Sequence, residues 1–189
     1  MEFRNGESGK HVFHMDKVIQ LLLDKIVQKT DKYPSLWQER ILIRTASALH
    51  DIGKIGIDEA ILNKPGRLTA EEFESMKAHT TIGADMLRNL PRYQEERILQ
   101  IAIEICRWHH ERYDGKGYPD GLVGDEIPIS AQLVSIADVY DALTSERVYK
   151  KAFSHEKAMQ MIREGECGAF NPLLLSCLEE IADELQAEM

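Results

Sequence analysis

Cysteine is scarce and unpatterned in this chain: Cys106, Cys167 and Cys177 are odd in number and form no CxxC pair. That excludes a disulfide framework and a cysteine-based structural zinc site, and the three read as reduced, buried thiols. Long hydrophobic runs are missing too. Leu21-Leu22-Leu23 is far too short to span a bilayer and is followed at once by Asp24 and Lys25. No leader pattern stands out. The expectation is a soluble, cytoplasmic protein whose membrane links, if any, come from a partner or from sequence outside this chain. Positive charge is short as well, with 23 Lys and Arg against 32 Asp and Glu, a formal net charge of -9. Passive, charge-driven binding to nucleic acid is thereby disfavoured. An anionic phosphate substrate would need local positive charge, which bound divalent cations supply more strongly than any side chain. There is no internal repeat, no low-complexity segment, and no alternating strand pattern beyond short pieces such as Gly53 to Ile57.

What is there is helix. The 189 residues suffice for one well-buried domain over 1–189, and the expected fold class is all-α, a multi-helix unit with a glycine-rich loop. Val12, Met15, Val18, Ile19, Leu22, Leu23 and Ile26 recur at three-and-four spacing, predicting an amphipathic helix over about 8 to 29. A second helix is expected from Leu36 to about His50, with Ser35 as its cap and Gly53 as its stop. Thr69-Ala70-Glu71-Glu72 fits a capping box opening a third helix to about Leu87, with His79 near its middle. A further helix ends at His110, another covers about Ser130 to Leu143, and Ser154 caps one near 155 to 164. After Pro172 a last helix runs to the C-terminus. Because residues with ligand chemistry stand almost at the start, the chain reads as an excised catalytic domain, or a short protein, whose regulatory region is missing from this sequence.

The residues that carry chemistry cluster around one stretch. The apolar run Ile101 to Trp108 closes on His109-His110-Glu111. The chain then breaks into Asp114-Gly115-Lys116-Gly117-Tyr118-Pro119, where glycine and proline forbid further helix. Ligand-capable side chains thus sit at a helix end beside a hinged loop. Upstream, His50-Asp51 precedes Gly53, a place where the backbone can turn two neighbouring side chains onto one site. Glu7 and His11, four apart on a helix, share a face. Asp138 interrupts an apolar helical segment, where a carboxylate is costly to bury unless paired or bound to a cation. Imidazole with carboxylate and no thiolate suits Fe, Mn or Zn.

Glu7-Ser8-Gly9-Lys10-His11, His50-Asp51-Ile52-Gly53-Lys54-Ile55, Lys64-Pro65-Gly66-Arg67-Leu68-Thr69 and His79 follow one another in order. They continue with His109-His110-Glu111 through Gly117-Tyr118-Pro119, then Ile136-Ala137-Asp138-Val139-Tyr140-Asp141, Arg147 and Lys150. This set resembles the HD-GYP domain, a branch of the HD superfamily of metal-dependent phosphohydrolases. The resemblance implies hydrolysis of cyclic di-GMP to pGpG and on to GMP. It implies that His50, Asp51, His79, His109, His110 and Asp138 hold a two-metal core with Asp51 bridging. Glu7 and His11 match the extra ligands of members with a third metal. Lys54 matches the lysine at the scissile phosphate, and Asp141, Arg147 and Lys150 match positions that contact the ligand. His14, one turn from His11, stands where the family often carries arginine.

Two or three divalent ions are therefore expected, Fe or Mn first, with Zn, Ni or Mg able to replace them in a preparation. Such a pair, ~3.5–4 Å apart, activates a bridging water that attacks phosphorus in line with the ribose 3′ oxygen. Asp51 and Lys54 are the expected catalytic residues, the lysine neutralising charge on the phosphate. Tyr118 either stacks on a guanine or, with Gly117 and Pro119, buttresses the ligand helix. Two rivals remain: a phosphohydrolase for another cyclic dinucleotide or nucleotide, and a non-catalytic module that docks a diguanylate cyclase-type domain. A homodimer is compatible with either.

Overall fold

The computed structural model describes residues 7–146 and 151–188. Ten α-helices follow in order among the described residues: α1 (Glu7–Lys29), α2 (Leu36–Ser47), α3 (Glu59–Leu62), α4 (Ala70–Lys77) and α5 (His79–Arg88), then α6 (Arg97–Trp108), α7 (Ile129–Thr144), α8 (His155–Arg163), α9 (Pro172–Glu180) and α10 (Ala182–Glu188). Short 3-10 turns cover Ile52–Gly56, Pro91–Tyr93 and Gly124–Glu126. Only one β-bridge, Asp114 with Val123, occurs among them. No helix among them is long and apolar enough to cross a membrane.

The apolar stripe read along α1 is the face that packs: Met15, Val18, Ile19, Leu22, Leu23 and Ile26 are all buried. They meet α2, α7 and α9, while α6 packs between α2, α5 and α7. Helix α7 is buried over most of its circumference, including Leu133, Ile136, Ala137 and Tyr140. A helix apolar all round belongs in the interior, so Asp138 and Asp141 are delivered to the middle of the molecule.

Three of the expected helices are corrected. The third predicted helix is two, α4 and α5, divided at Ala78. The Thr69–Glu72 capping box is present at its start, but His79 Nδ1, Thr80 Oγ1 and Thr81 Oγ1 each donate to a carbonyl three residues back. Side chains that take up carbonyls in this way compete with the helical ladder and bend it. His79 therefore opens α5 rather than lying mid-helix. The second helix stops at Ser47, and Ser35 makes no capping bond to the backbone. The C-terminal segment is likewise two helices, with Ile181 between them.

Gly53 is not a helix stop. It lies inside the 3-10 turn Ile52–Gly56, where a Cβ would stand 1.9 Å from the His79 carbonyl oxygen and 2.5 Å from the Gly83 nitrogen. Gly83 is the matching gap on α5: its own Cβ would meet Gly53 nitrogen at 3.1 Å. Two glycines face to face let the turn touch the α5 backbone, which brings Asp51 beside His79.

Candidate metal centre

Three chain segments bring their histidines to one place by the same local device, and a fourth by another. His50 Nδ1 lies 2.9 Å from the Ser47 carbonyl oxygen, and His79 Nδ1 lies 2.7 Å from that of Met76. His109 Nδ1 lies 2.9 Å from the Ile105 carbonyl oxygen. Each lies at a helix end or bend, where the carbonyl accepts the ring N–H alongside a backbone N–H. That bond fixes the tautomer and turns Nε2 inward, as in outer-shell support of metal-binding histidine. His11 is held differently: its Nδ1 lies 2.6 Å from Asp141 Oδ2, so a carboxylate on α7 orients it. The rings of His11, His50, His109, His110 and His79 form a chain with centroids 4.1–5.4 Å apart.

Asp51 lies at the junction. One oxygen, Oδ2, is 3.2 Å from His50 Nε2 and also accepts from the Lys54 ammonium. The other, Oδ1, is 3.4 Å from His79 Nε2 and 3.9 Å from His109 Nε2. Two groups of ligand atoms result, each gathered within 4.8 Å: Asp51, His79, His109 and His110 in one, and His11, His50 and Asp138 in the other. His11 Nε2, His50 Nε2 and Asp51 Oδ1 are buried without a hydrogen-bond partner. Buried polar atoms are seldom left so. Orphans aimed at one another from imidazole and carboxylate are what a cation satisfies, and the donor set contains no thiolate. Cys106, though near, donates its Sγ–H to the Leu49 carbonyl, and burial pushes its thiol up to about 12. The residues present fit divalent metal.

Protonation supports the same fit. Burial, then the neighbouring His50 charge, holds His109 down at about 3. Burial likewise lowers His79 and drives His110 well below its ordinary value. All three are neutral at pH 7, the state that ligates. His50 goes the other way: burial disfavours its charged form, but the Asp51 carboxylate beside it outweighs burial and raises it to about 9. Asp51 stays ionised well below the usual carboxylate range despite burial, because His50 and Lys54 favour its charge.

The loop after α6 is built around Glu111, which the sequence grouped with the ligand-capable side chains and which here serves the loop backbone instead. Glu111 is buried, and its Oε1 accepts from the backbone N–H of Asp120 and Gly121 while Oε2 accepts from Leu122. Gly117 lies flat on the helix end: a Cβ there would stand 2.3 Å from both Arg112 nitrogen and Glu111 Cα. Tyr118 N–H donates to the His110 carbonyl, and its ring lies 4.9 Å from that of His110. Of the two roles left open for the loop, buttressing the ligand helix is visible in these contacts. The available signal was chemical, a carboxylate adjoining a loop with many free N–H groups. Replacing Glu111 by alanine strands three backbone donors and is expected to cost about 3 kcal/mol. A fall in thermal midpoint of roughly 6–12 °C, read by calorimetry, would follow.

The family model described as HD domain matches residues 7–172, most of the chain. The chain belongs to the HD domain family. Among relatives of this HD domain is a probable cyclic di-GMP phosphodiesterase of Vibrio cholerae, 40% identical over 178 residues, which cover 92% of this chain and 40% of the relative. A cyclic di-GMP phosphodiesterase of Thermotoga maritima is 46% identical over 143 residues, 76% of this chain and 38% of its own. A 3′3′-cGAMP-specific phosphodiesterase of Vibrio cholerae is 37% identical over 187 residues, 99% of this chain and 34% of its own. The HD domain thus spans about a third to two fifths of the length of these relatives. A solved HDG"Y"P protein from Bdellovibrio bacteriovorus shares the fold with a TM-score of 0.65 at 20% identity, covering 92% of this chain and 51% of that one.

The remaining expected site residues fall as follows. Asp141 is buried, with Oδ2 on His11 and Oδ1 accepting from Ser145 and facing His14 Nδ1 at 2.9 Å. One carboxylate thereby orients two imidazoles. His14 shares this carboxylate. Glu7 opens α1, four residues before His11, and its side chain lies outside the described residues. Arg147 and Lys150 also lie outside the described residues.

Proposed function

We propose that this HD domain is a metal-dependent phosphodiesterase that hydrolyses cyclic di-GMP to pGpG and onward to GMP. The observation that carries the reading is Asp51, whose two oxygens face two separate ligand groups containing orphaned buried atoms. Divalent ions held there would attract a phosphodiester into an acidic protein and lower the pKa of bound water. His79, His109, His110 and Asp51 would hold one ion, with His11, His50 and Asp138 holding a second that Asp51 also reaches. Glu7 is the candidate for a third. Fe or Mn best suits imidazole with bridging carboxylate. Lys54, at the rim of the centre with its ammonium on Asp51, would neutralise charge on the non-bridging phosphate oxygens. Asp141 keeps His11 Nε2 aimed inward. Arg147 and Lys150 are the candidate contacts for the second phosphate.

The names of the relatives support two substrates, cyclic di-GMP and 3′3′-cGAMP. Protein purified without oxygen, assayed for metal content and incubated with cyclic di-GMP, 3′3′-cGAMP, cyclic di-AMP and nucleoside monophosphates tests the reading by product chromatography. Release of pGpG from cyclic di-GMP is the expected result. Full metal loading with no turnover of any member of the panel would point instead to a non-catalytic module, for which a diguanylate cyclase-type domain or a second copy of the chain is the candidate partner.

A further inference from the structure

We infer that the face of α4 bearing Phe73 and Lys77 is a guanine-recognition subsite; the inference rests on the cyclic-dinucleotide reading above. Phe73 is a large aromatic side chain left 45% exposed. Its ring meets that of Tyr118 edge-on, with centroids 6.3 Å apart and planes at 82°. Tyr118 in turn lies over the ligand His110, at 4.9 Å and a tilt of 31°. The aromatic surface is therefore continuous from a metal-ligand imidazole to an open ring on α4, the direction a nucleotide takes from phosphate across its ribose to the base. Lys77, one helical turn after Phe73, sets its ammonium 5.0 Å from the Phe73 centroid and 5.4 Å from that of Tyr118. Glu74 holds it there at 2.7 Å.

A base stacked on Phe73 presents its edge to that ammonium. Lysine offers only donors. Guanine answers with two acceptors, O6 and N7, whereas adenine places an amino donor where guanine has O6. Stacking on Phe73 gives affinity for any purine, and Lys77 gives the preference for guanine. Neither side chain is needed to hold the metal ligands, since His79 is oriented by the Met76 carbonyl and His110 is not contacted by Phe73 or Lys77 in any ring pairing observed.

The test uses GMP and AMP, titrated calorimetrically into metal-loaded wild type, Phe73→Ala, Phe73→Tyr, Lys77→Met and Lys77→Arg, alongside steady-state kinetics on cyclic di-GMP and cyclic di-AMP. Phe73→Ala is expected to weaken GMP and AMP alike by roughly 10-fold and to raise KM more than it lowers kcat. Phe73→Tyr restores binding. Lys77→Met is expected to cut the preference for GMP over AMP by roughly 10-fold, with Lys77→Arg retaining it. Metal content identical to wild type in Phe73→Ala, together with unchanged GMP affinity, overturns the subsite. So does an unchanged GMP to AMP ratio in Lys77→Met. A wild type that turns over no cyclic dinucleotide yet binds GMP through Phe73 and Lys77 supports the subsite and removes the phosphodiesterase reading alone.

Discussion

Asp51→Asn is expected to empty the centre of metal and to lower phosphodiesterase activity by more than roughly 100-fold, since even outer-shell partners of metal ligands are worth 10–100-fold. The carboxylate reaches both clusters, at 3.2 Å to His50 and 3.4 Å to His79. An amide of the same shape keeps the packing but removes the charge that both ions require. Elemental analysis after purification, beside the activity assay, reads the result; full metal content in Asp51→Asn would refute the bridging role. Asp51 also sets a proton balance. In the metal-free wild type His50 carries its proton up to about pH 9, and a cation on Nε2 must expel it. His109, at about 3, has none to lose. Metal uptake below pH 9 should therefore release about one proton from His50, and affinity should tighten as pH rises toward 9, by up to roughly tenfold per unit. Titrating metal in buffers of different ionisation enthalpy measures that proton.

Gly53→Ala is expected to be among the most damaging glycine-to-alanine substitutions among the described residues. The added Cβ would stand 1.9 Å from the His79 carbonyl and 2.5 Å from Gly83 nitrogen, both backbone atoms that cannot rotate away. Overpacking against flexible side chains costs about 1–3 kcal/mol, and contact with backbone belongs at or beyond the top of that range. A loss of roughly 6–12 °C in thermal midpoint is expected, with weakened metal binding because the 3-10 turn carries Asp51 away from His79. Gly9→Ala, where a Cβ meets nothing within 4 Å, is the matched control. An unchanged midpoint and unchanged metal content in Gly53→Ala would remove the close approach as the reason the turn and α5 meet.

The helical class, the amphipathic face of α1, the capping box at Thr69 and the ligand types were legible in order of residues alone. Periodicity and capping are local, and imidazole and carboxylate announce their chemistry wherever they fall. The motif set also named the residues that would meet. Sequence could not show how they meet, because that depends on atoms distant along the chain. Only the fold revealed that Gly53 and Gly83 face each other, that the predicted third helix breaks to place His79 at the start of α5, and that Asp141 supports His11 from a buried helix. It likewise took the folded loop to show Glu111 collecting three backbone N–H groups. Residue identity determined which chemistry this protein can perform; the long-range packing of backbone on backbone decided where each donor points, and so which side chains act on the centre and which hold it in shape.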